Sequence, residues 1–270
     1  MAHCREHVMN LQHQSLDFRS IRGLFFVLFV LADGAAAQST DINSQQLILE
    51  ADRFRGHIEE GIEYKVDLAC TTETGPTART YLVRSKGEGA SALTQSPPDH
   101  KGDLYLVNGR SIWDLRVTSK QPVAISLASR MTGLASVGDI VAMGFGSIYD
   151  SVSVGKETLD GQENHKFELT AKREQRATYE TAWMWINEKT KLATQVQFLS
   201  IARKPIKTVT FAYESKLLVN GKEMPFISAS KVTDLISSCT LRYYDAKTIK
   251  IEPEEFDIEK VATKRQVQQP

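Results

Sequence analysis

The residue types that most often carry catalysis or metal binding are sparse and scattered in this chain. After residue 37 the only histidines are His57, His100 and His165, and none has a cysteine or a carboxylate at the intervals of zinc ligands. The serine-rich stretches lack the Gly-x-Ser-x-Gly turn of a hydrolase, and no glycine-rich loop ends in the Gly-Lys-Ser/Thr of a phosphate site. The sequence therefore predicts no catalytic residue, no cofactor and no metal.

Two short motifs resemble ligand-binding loops but have simpler interpretations. Gly144 and Gly146 match two positions of a dinucleotide loop, and the rest of that motif is absent. Ser136 and Asp139 have the spacing of a capping box, in which their side chains accept hydrogen bonds from the free amides of a helix start. We interpret the second motif as a helix cap.

The clearest spacing belongs to apolar side chains that could bind an apolar ligand. Leu127, Met131 and Leu134 lie at i, i+4 and i+7, which predicts one face of a helix, and a second short helix carries Ile140. We therefore predict that residues 126–144 fold as short helices. Apolar helix faces usually belong to a core, so this segment either plugs one end of a sheet or covers a binding site.

The elements around this segment are predicted to be strands, apart from a helix over residues 45–59. Asn108-Gly109, Asp160-Gly161 and Asn220-Gly221 are typical of tight turns. The predicted strands are 62–71, 78–86, 90–95, 103–107, 111–117, 149–157, 164–171, 181–187, 192–202, 208–214, 226–235 and 239–245. A sheet of so many sequential strands must be antiparallel and strongly curved, because a flat one would leave its apolar face uncovered.

Some of these strands carry apolar residues on both faces. Trp183 and Trp185 alternate with Met184 and Ile186. The predicted helices supply little surface with which to cover such a sheet. Either the helices fill the concave side completely, or an apolar ligand completes the packing.

The amino-terminal segment predicts export. Residues 24–32 form the apolar run LFFVLFVLA, which follows Arg19 and Arg22 and precedes three alanines that end at Ala37. We expect cleavage after Ala37, with Gln38 as the new amino terminus. The run is shorter than the roughly 20 residues that cross a bilayer. We expect a periplasmic protein without a membrane anchor.

The remaining chain predicts one domain that does not bind nucleic acid. We assign residues 1–37 to a cleavable signal peptide, 38–263 to one β domain and 264–270 to a disordered tail. The chain has 33 basic and 33 acidic residues, and the leader removes three of each. A balanced charge gives no electrostatic attraction for nucleic acid, and we expect a monomer.

Two cysteines remain after the predicted cleavage. Cys70 and Cys239 each alternate with apolar residues and are expected to face a core. In an oxidising compartment they form either a disulfide or two buried free thiols, and the sequence leaves both alternatives open.

An ordered series of segments resembles a known family. The segments are ARTYLVRSKGEGASAL, PPDHKGDLYLVNGRSIWDL, QPVAIS, RMTGLASVGDIV, ETLDGQENHKFELTA, WMWINEKTKLATQVQF and CTLRYYDAKTIKIEPEEF. Their order and spacing resemble the outer-membrane lipoprotein-sorting proteins, the LolA-like relatives of the periplasmic lipoprotein carrier. The resemblance implies a mainly β fold: an unclosed half-barrel with an N-terminal helix and a short helical lid on its concave face.

The resemblance also implies a function. Such a protein binds acyl chains of lipoproteins or lipids in the half-barrel and carries them toward the outer membrane, and its protein partner is an inner-membrane transporter or an outer-membrane acceptor. The alternative is a periplasmic sensor or adaptor of the same fold that binds a partner protein or works with a membrane exporter. Arg130 is the candidate for the residue that fastens the lid. The predicted ligand-binding residues are Trp113, Leu127, Met131, Leu134, Ile140, Phe145, Trp183 and Trp185.

Overall fold

One wide antiparallel sheet organises the described part of the chain. The computed structural model describes residues 43–268, apart from positions 74, 110, 120, 127, 128, 142, 143, 175, 176 and 178. The predicted signal peptide and its cleavage site lie outside this range.

The helices and strands alternate with short turns over this range. The α-helices are α1 (Ser44–Arg53), α2 (Val137–Ile140), α3 (Phe145–Ile148) and α4 (Ile258–Gln268), with 3₁₀ turns at Pro98–His100 and Pro253–Phe256. The strands are β1 (Ile62–Thr72), β2 (Gly75–Lys86), β3 (Gly89–Ser96), β4 (Leu104–Asn108), β5 (Ser111–Leu115), β6 (Val123–Ile125), β7 (Arg130–Thr132), β8 (Ala135–Ser136), β9 (Tyr149–Leu159), β10 (Gln162–Ala171), β11 (Thr181–Asn187), β12 (Ala193–Leu199), β13 (Pro205–Ala212), β14 (Ser215–Val219), β15 (Lys222–Phe226), β16 (Ala229–Thr233) and β17 (Ser238–Thr248).

The main sheet has thirteen strands in the order β6-β5-β4-β3-β2-β1-β17-β16-β13-β12-β11-β10-β9. Every pair is antiparallel, and the edge strands β6 and β9 do not pair with each other, so the sheet is an unclosed half-barrel as predicted. Two of the predicted turns are present: Asp160 and Gly161 have φ of 48° and 75°, and Asn220 and Gly221 have φ of 50° and 77°. These are the left-handed angles that a two-residue hairpin needs. At the third, Asn108 pairs with Ser111 on the strands, so the turn begins at Gly109 rather than at Asn108.

The two faces of the sheet have separate apolar clusters. The concave face packs against α1, α2 and α3 in a core that includes Ile48, Ile140, Phe167 and Met184. The opposite, convex face carries a smaller cluster that includes Leu106, on which α4 and the preceding 3₁₀ turn pack.

Part of the predicted lid is wrong. Residues 130–136 form the small hairpin β7–β8 rather than a helix, and only the second predicted helix exists, as α2. Gly133 turns this hairpin with φ of 54°, and a Cβ added there would lie 2.8 Å from Cys70 Cβ. A helix over these residues would be barely two turns long, and such short helices are stable only when packing favours them.

Cys70 and Cys239 are a directly opposed pair on β1 and β17, and the structure joins them in a disulfide. Of the two alternatives that the sequence left open, the structure therefore has the bridge. Its Cα atoms are 4.0 Å apart and its partners are 169 residues apart in sequence. The bridge lies under the tip of the β7–β8 hairpin. It joins strands β1 and β17 at the ends that are next to the lid.

Three further boundaries differ from prediction. Helix α1 ends at Arg53 instead of residue 59, because the chain turns over residues 54–56 and Gly56 leaves the helical path with a φ of 102°. The predicted strand 226–235 is divided, since β15 pairs with β14 and β16 rejoins the main sheet. Residues 264–268 of the predicted disordered tail belong to α4, whose apolar side packs on the convex cluster. No helix in the described ranges has the length and apolarity needed to cross a membrane.

Candidate functional site

An apolar cavity lies on the concave face between the lid, which consists of the β7–β8 hairpin and helix α2, and strands β12, β13, β16 and β17. The volume open to the centre of a water-sized sphere is about 60 Å³, and about 650 Å³ of space is present when the open mouth and all crevices are included. Its apolar and aromatic lining consists of Phe145, Ile148, Tyr149, Ala177, Tyr179, Phe198, Val209 and Phe211. Its polar lining consists of Arg55, Ser136, Gly138, Asp139, Lys207, Ser230 and Tyr243. An apolar chamber with a few polar groups is the usual form of a site for a small apolar ligand.

One ion pair crosses from the lid to the sheet at this cavity. Lys207 of β13 places Nζ 2.6 Å from the Asp139 carboxylate of α2, and their side chains are only 4% and 11% exposed. The same carboxylate oxygen accepts hydrogen bonds from the amide and the hydroxyl of Ser136, at 2.8 and 2.7 Å. The capping box is therefore present, and its acidic member also fastens the lid to the wall.

Tyr243 supports this contact from β17. Its hydroxyl donates to the Asp139 carbonyl at 3.3 Å and lies 3.1 Å from Ser230 Oγ. Burial raises the pKa of Tyr243 to about 12, so the hydroxyl stays protonated at neutral pH and can donate. The lid end is thus held by one charged and one neutral contact.

A second buried charge pair lies at the end of α1, and its carboxylate also binds an amide of α3. Asp52 accepts from Arg55 Nη1 at 2.9 Å and from the Gly146 amide at 2.7 Å. Burial raises the pKa of Asp52, while the Arg55 guanidinium and the Gly146 amide favour its charged form. Arg55 also lies 4.5 Å from the ring centroid of Phe145 and 4.9 Å from that of Phe211. The guanidinium therefore forms a charged but largely aromatic-covered part of the cavity wall.

The predicted lid residues have different positions. Phe145 lines the cavity, whereas Leu134 and Ile140 are buried in the concave core and do not line it. Leu127 lies outside the described residues, and so does the side chain of Met131. Leu134 and Ile140 thus plug the core, which is the simpler of the two interpretations of the apolar segment.

The three predicted tryptophans do not line this cavity. Trp113 belongs to the convex cluster, because its neighbour Ile112 takes the concave face. Trp183 and Trp185 also face outward, since Met184 between them is buried in the concave core. Trp185 donates from Nε1 to Glu157 at 3.0 Å on that outer side.

The sequence prediction missed the charged residues of the cavity. Arg130 was the candidate for fastening the lid, but its side chain lies outside the described residues, and Lys207 makes the contact that is seen. A signal was present: Lys207 shares a strand face with Val209 and Phe211, and a charge on an apolar face needs a partner. Nothing in the sequence pattern identified that partner as Asp139, which is 68 residues away.

The three histidines lie on separate elements. His57 packs on Gly144, His100 Nδ1 lies 3.2 Å from Asp103, and His165 is buried on β10. Burial lowers the pKa of His165, so its imidazole is mainly neutral near pH 7. None of the three is among the residues that line the cavity.

Comparison with solved structures identifies the fold. A LolA superfamily protein from Nitrosomonas europaea superposes with a TM-score of 0.69 at 23% identity, covering 80% of this chain and 98% of that one. A domain from Vibrio parahaemolyticus described as an outer membrane lipoprotein-sorting protein gives 0.68 at 16% identity, covering 81% and 97%. A DUF1329 family protein from Desulfovibrio piger gives 0.66 at 17% identity, covering 80% and 96%.

Comparison with families gives the assignment. No curated protein matches the sequence significantly. A family model, described only as an uncharacterized protein, matches residues 87–258, which is more than half of the chain. The match covers the β4–β5 hairpin, the lid, the cavity strands and β17, which is the last strand in the sequence. The chain therefore belongs to the family that this model describes, and it has the fold of the LolA superfamily protein and of the other two solved structures.

Proposed function

We propose that this protein binds the acyl chains of lipoproteins or lipids in the concave cavity and carries them through aqueous space. One observation carries the proposal: an apolar cavity lies under a lid that a buried ion pair fastens to the wall. Burial of an acyl chain is favoured by about 0.8 kcal/mol per methylene, or roughly 12 kcal/mol for a chain of 16 carbons. Binding of that strength needs no catalytic residue, and we propose that the protein is not an enzyme.

The lid contacts suggest how the cavity admits a ligand. Asp139 is anchored both to Lys207 and to Ser136 of its own segment, so separating lid from wall leaves the carboxylate with partners inside the lid. Lys207 would then turn its ammonium toward water, which its long apolar stem allows. The ion pair is thus a reversible fastening, and the acyl chain replaces the side chains that leave the cavity.

The cellular role follows from the predicted leader and from the named relatives. We propose that the chain is exported to the periplasm with cleavage after Ala37 and delivers its cargo to the outer membrane. The Vibrio parahaemolyticus domain, which is described as a lipoprotein-sorting protein, supports this direction of transport. An inner-membrane transporter would be the donor. Native mass spectrometry of the exported protein tests this, because a co-purifying lipid or lipoprotein supports a carrier and a stoichiometric protein partner supports an adaptor.

The cavity itself is tested by filling it. Val209→Trp places a large ring where the ligand should lie, and we expect displacement of a fluorescent fatty-acyl probe to show at least a tenfold weaker Kd, which is about 1.4 kcal/mol. Thr210→Trp is the matched control, since Thr210 is the next residue of β13 and is exposed on the convex face. Equal probe affinity in both variants, or no probe binding by the delipidated wild type, would refute an acyl site in this cavity.

The fastening is tested by Lys207→Met. This change leaves a buried carboxylate without its cation, which typically costs about 3–5 kcal/mol of stability. We expect a lower melting temperature and faster uptake of the probe in stopped-flow measurements. Adding Asp139→Asn removes the unpaired charge, so the double variant should recover part of the stability and keep the faster uptake. A slower uptake in both variants would contradict a lid role for this pair.

A further inference from the structure

Two neighbouring turns at the lid end of the half-barrel hold large apolar side chains in water. Ile201, in the β12–β13 turn, is 100% exposed, and Leu235 and Ile236, in the β16–β17 turn, are 97% and 67% exposed. We call these three residues the apolar rim. Turns usually carry polar residues and glycine, and these side chains bury nothing in the fold.

The strand register brings the two turns together. Strand β13 begins just after the first turn and β16 ends just before the second, and the two strands pair with Thr208 opposite Thr233. The same register places the rim at the mouth of the cavity. Phe198 and Lys207, which both line the cavity, are opposed immediately below the β12–β13 turn.

Both turns are fixed by their own hydrogen bonds. In the first, the Ser200 amide donates to the Lys204 carbonyl at 2.8 Å, and the Lys204 amide donates to Ser200 Oγ at 3.1 Å. In the second, Asp234 Oδ1 accepts from the amides of Ile236 and Ser237 at 2.9 and 2.7 Å. The rim side chains are therefore presented on rigid supports.

The charges beside the rim are compatible with an anionic surface. Arg203 and Lys204 follow Ile201 after one alanine, Ala202, and are both exposed. Asp234 of the second turn binds backbone amides, and Glu168 of β10 forms a two-pronged pair with Arg203, so Lys204 supplies the basic charge beside the rim. Basic residues next to a membrane surface contribute about 1 kcal/mol each toward anionic lipids.

We infer that the apolar rim inserts into the interface of an anionic lipid bilayer and sets the cavity mouth against the membrane. Three separate side chains are far too small an area for a stable protein interface, which needs roughly 800 Å² on each partner. They are suited to shallow and reversible insertion, in which apolar tips enter the acyl boundary and basic residues meet headgroups. Membrane contact itself does not depend on the acyl site. Its use in loading or unloading cargo rests on the proposed function.

The test is flotation with vesicles of phosphatidylethanolamine and phosphatidylglycerol, using the processed protein recovered from exporting cells. We expect Ile201→Ser with Leu235→Ser to weaken vesicle binding by about tenfold for each side chain, the equivalent of half the burial free energy of a leucine. The matched control is Leu218→Ser, because Leu218 is 58% exposed on β14, at the other end of β13. All variants have the same amino terminus, so any contribution from that segment cancels in the comparison.

Several outcomes decide the inference. Weaker vesicle binding by the rim variant alone, with wild-type melting temperature and wild-type affinity for the acyl probe, supports it. Wild-type protein that does not float, a rim variant that floats like wild type, or equal binding to phosphatidylcholine vesicles overturns it. A wild-type dimer that the rim variant converts to a monomer in light scattering also overturns it, in favour of a second copy as occupant. Loss of probe binding by wild type would instead refute the acyl site and leave the membrane result standing.

Discussion

Glu63 connects three strands at the centre of the convex face. Arg84 Nε of β2 lies 2.8 Å from its carboxylate and Lys247 Nζ of β17 lies 2.9 Å away, while Arg84 also reaches Glu255 at 3.1 Å. The hydrogen bond from Lys247, with that from Arg84, holds the pKa of Glu63 below its ordinary value of 4.5 despite partial burial. A carboxylate with a lowered folded-state pKa stabilises the fold when it is charged.

This arrangement predicts an acid-dependent loss of stability. The contribution of Glu63 is complete above pH 4.5, the ordinary value, and is lost as the pH falls through the lower folded-state pKa. Glu63→Gln should therefore be less stable than wild type at pH 7, and the difference should shrink below pH 4.5. Urea unfolding across this range measures it. The effect will be modest and salt-sensitive because the two basic partners are 42% and 62% exposed.

Glu50→Gln on the exposed side of α1 is the control for the loss of one carboxylate. It removes a charge without removing a contact between strands. A difference between wild type and Glu63→Gln that stays constant from pH 7 to acid would show that the glutamate acts through packing rather than through its charge.

The residues of the cavity show what a pattern of side chains can and cannot predict. Alternation along β13 places Lys207 on the same face as Val209, so a buried lysine could be predicted. Its partner could not, because Asp139 comes from a segment whose position depends on the packing of the whole lid. Alternation likewise shows that Trp183 and Met184 face opposite sides, but the face that becomes concave is decided by which helices cover it.

At the scale of single elements, the lid shows a local pattern overruled by packing. The i, i+4, i+7 apolar spacing over residues 127–134 is compatible with a helix, yet Gly133 takes the left-handed conformation and the chain forms the β7–β8 hairpin. The hairpin tip lies against the Cys70–Cys239 bridge, where a side chain has no room. Helix α2 was predictable because the capping box from Ser136 to Asp139 is local in sequence.

Gly133→Ala tests this packing. The new Cβ would meet Cys70 Cβ at 2.8 Å and Sγ at 3.0 Å, and alanine would also be strained at a φ of 54°. We expect a loss of about 1–3 kcal/mol in the free energy of unfolding, as is typical of overpacked sites. Hydrogen exchange of the amides in β7 and β8 should also become faster, since the hairpin tip must move away from the bridge.

The matched control is Gly221→Ala, because Gly221 has a φ of 77° and nothing lies within 4 Å of its added Cβ. In this variant, alanine is strained by the positive φ, but its Cβ meets no other atom. If the two variants are equally destabilised, the hairpin tip is not packed against the disulfide and the lid has more freedom than the structure indicates.

At the scale of the whole molecule, one sheet separates two apolar clusters with different roles. The concave cluster leaves a cavity under the lid, whereas α4 and the preceding 3₁₀ turn pack on the convex cluster and leave an open cleft of about 1260 Å³ against strands β2 to β4. The half-barrel was predictable from the number and order of strands and from the family resemblance. The closing helix was not, because its apolar residues Ile258, Val261 and Ala262 lie among charged ones near the end of the chain.

The closure of the convex face predicts that ending the chain after Asp257 will destabilise the sheet without removing the cavity. Ile258, Val261 and Ala262 leave the convex cluster, and Arg265 no longer donates to the Gly102 carbonyl at 2.5 Å. At roughly 1 kcal/mol for each partly buried apolar side chain, we expect a loss of about 2–4 kcal/mol in the free energy of unfolding.

Trp113 reports the same change, because it packs in the convex cluster and would become accessible to acrylamide quenching. Ending the chain after Gln268 removes only the last two residues and is the control. The acyl-probe affinity of the shorter protein should remain that of wild type at a temperature where it is folded, since α4 contributes no residue to the cavity lining. A normal melting temperature after removal of α4 would mean that the convex cluster is closed by something other than this helix, and a lost probe affinity in a folded variant would mean that the two faces of the sheet are coupled.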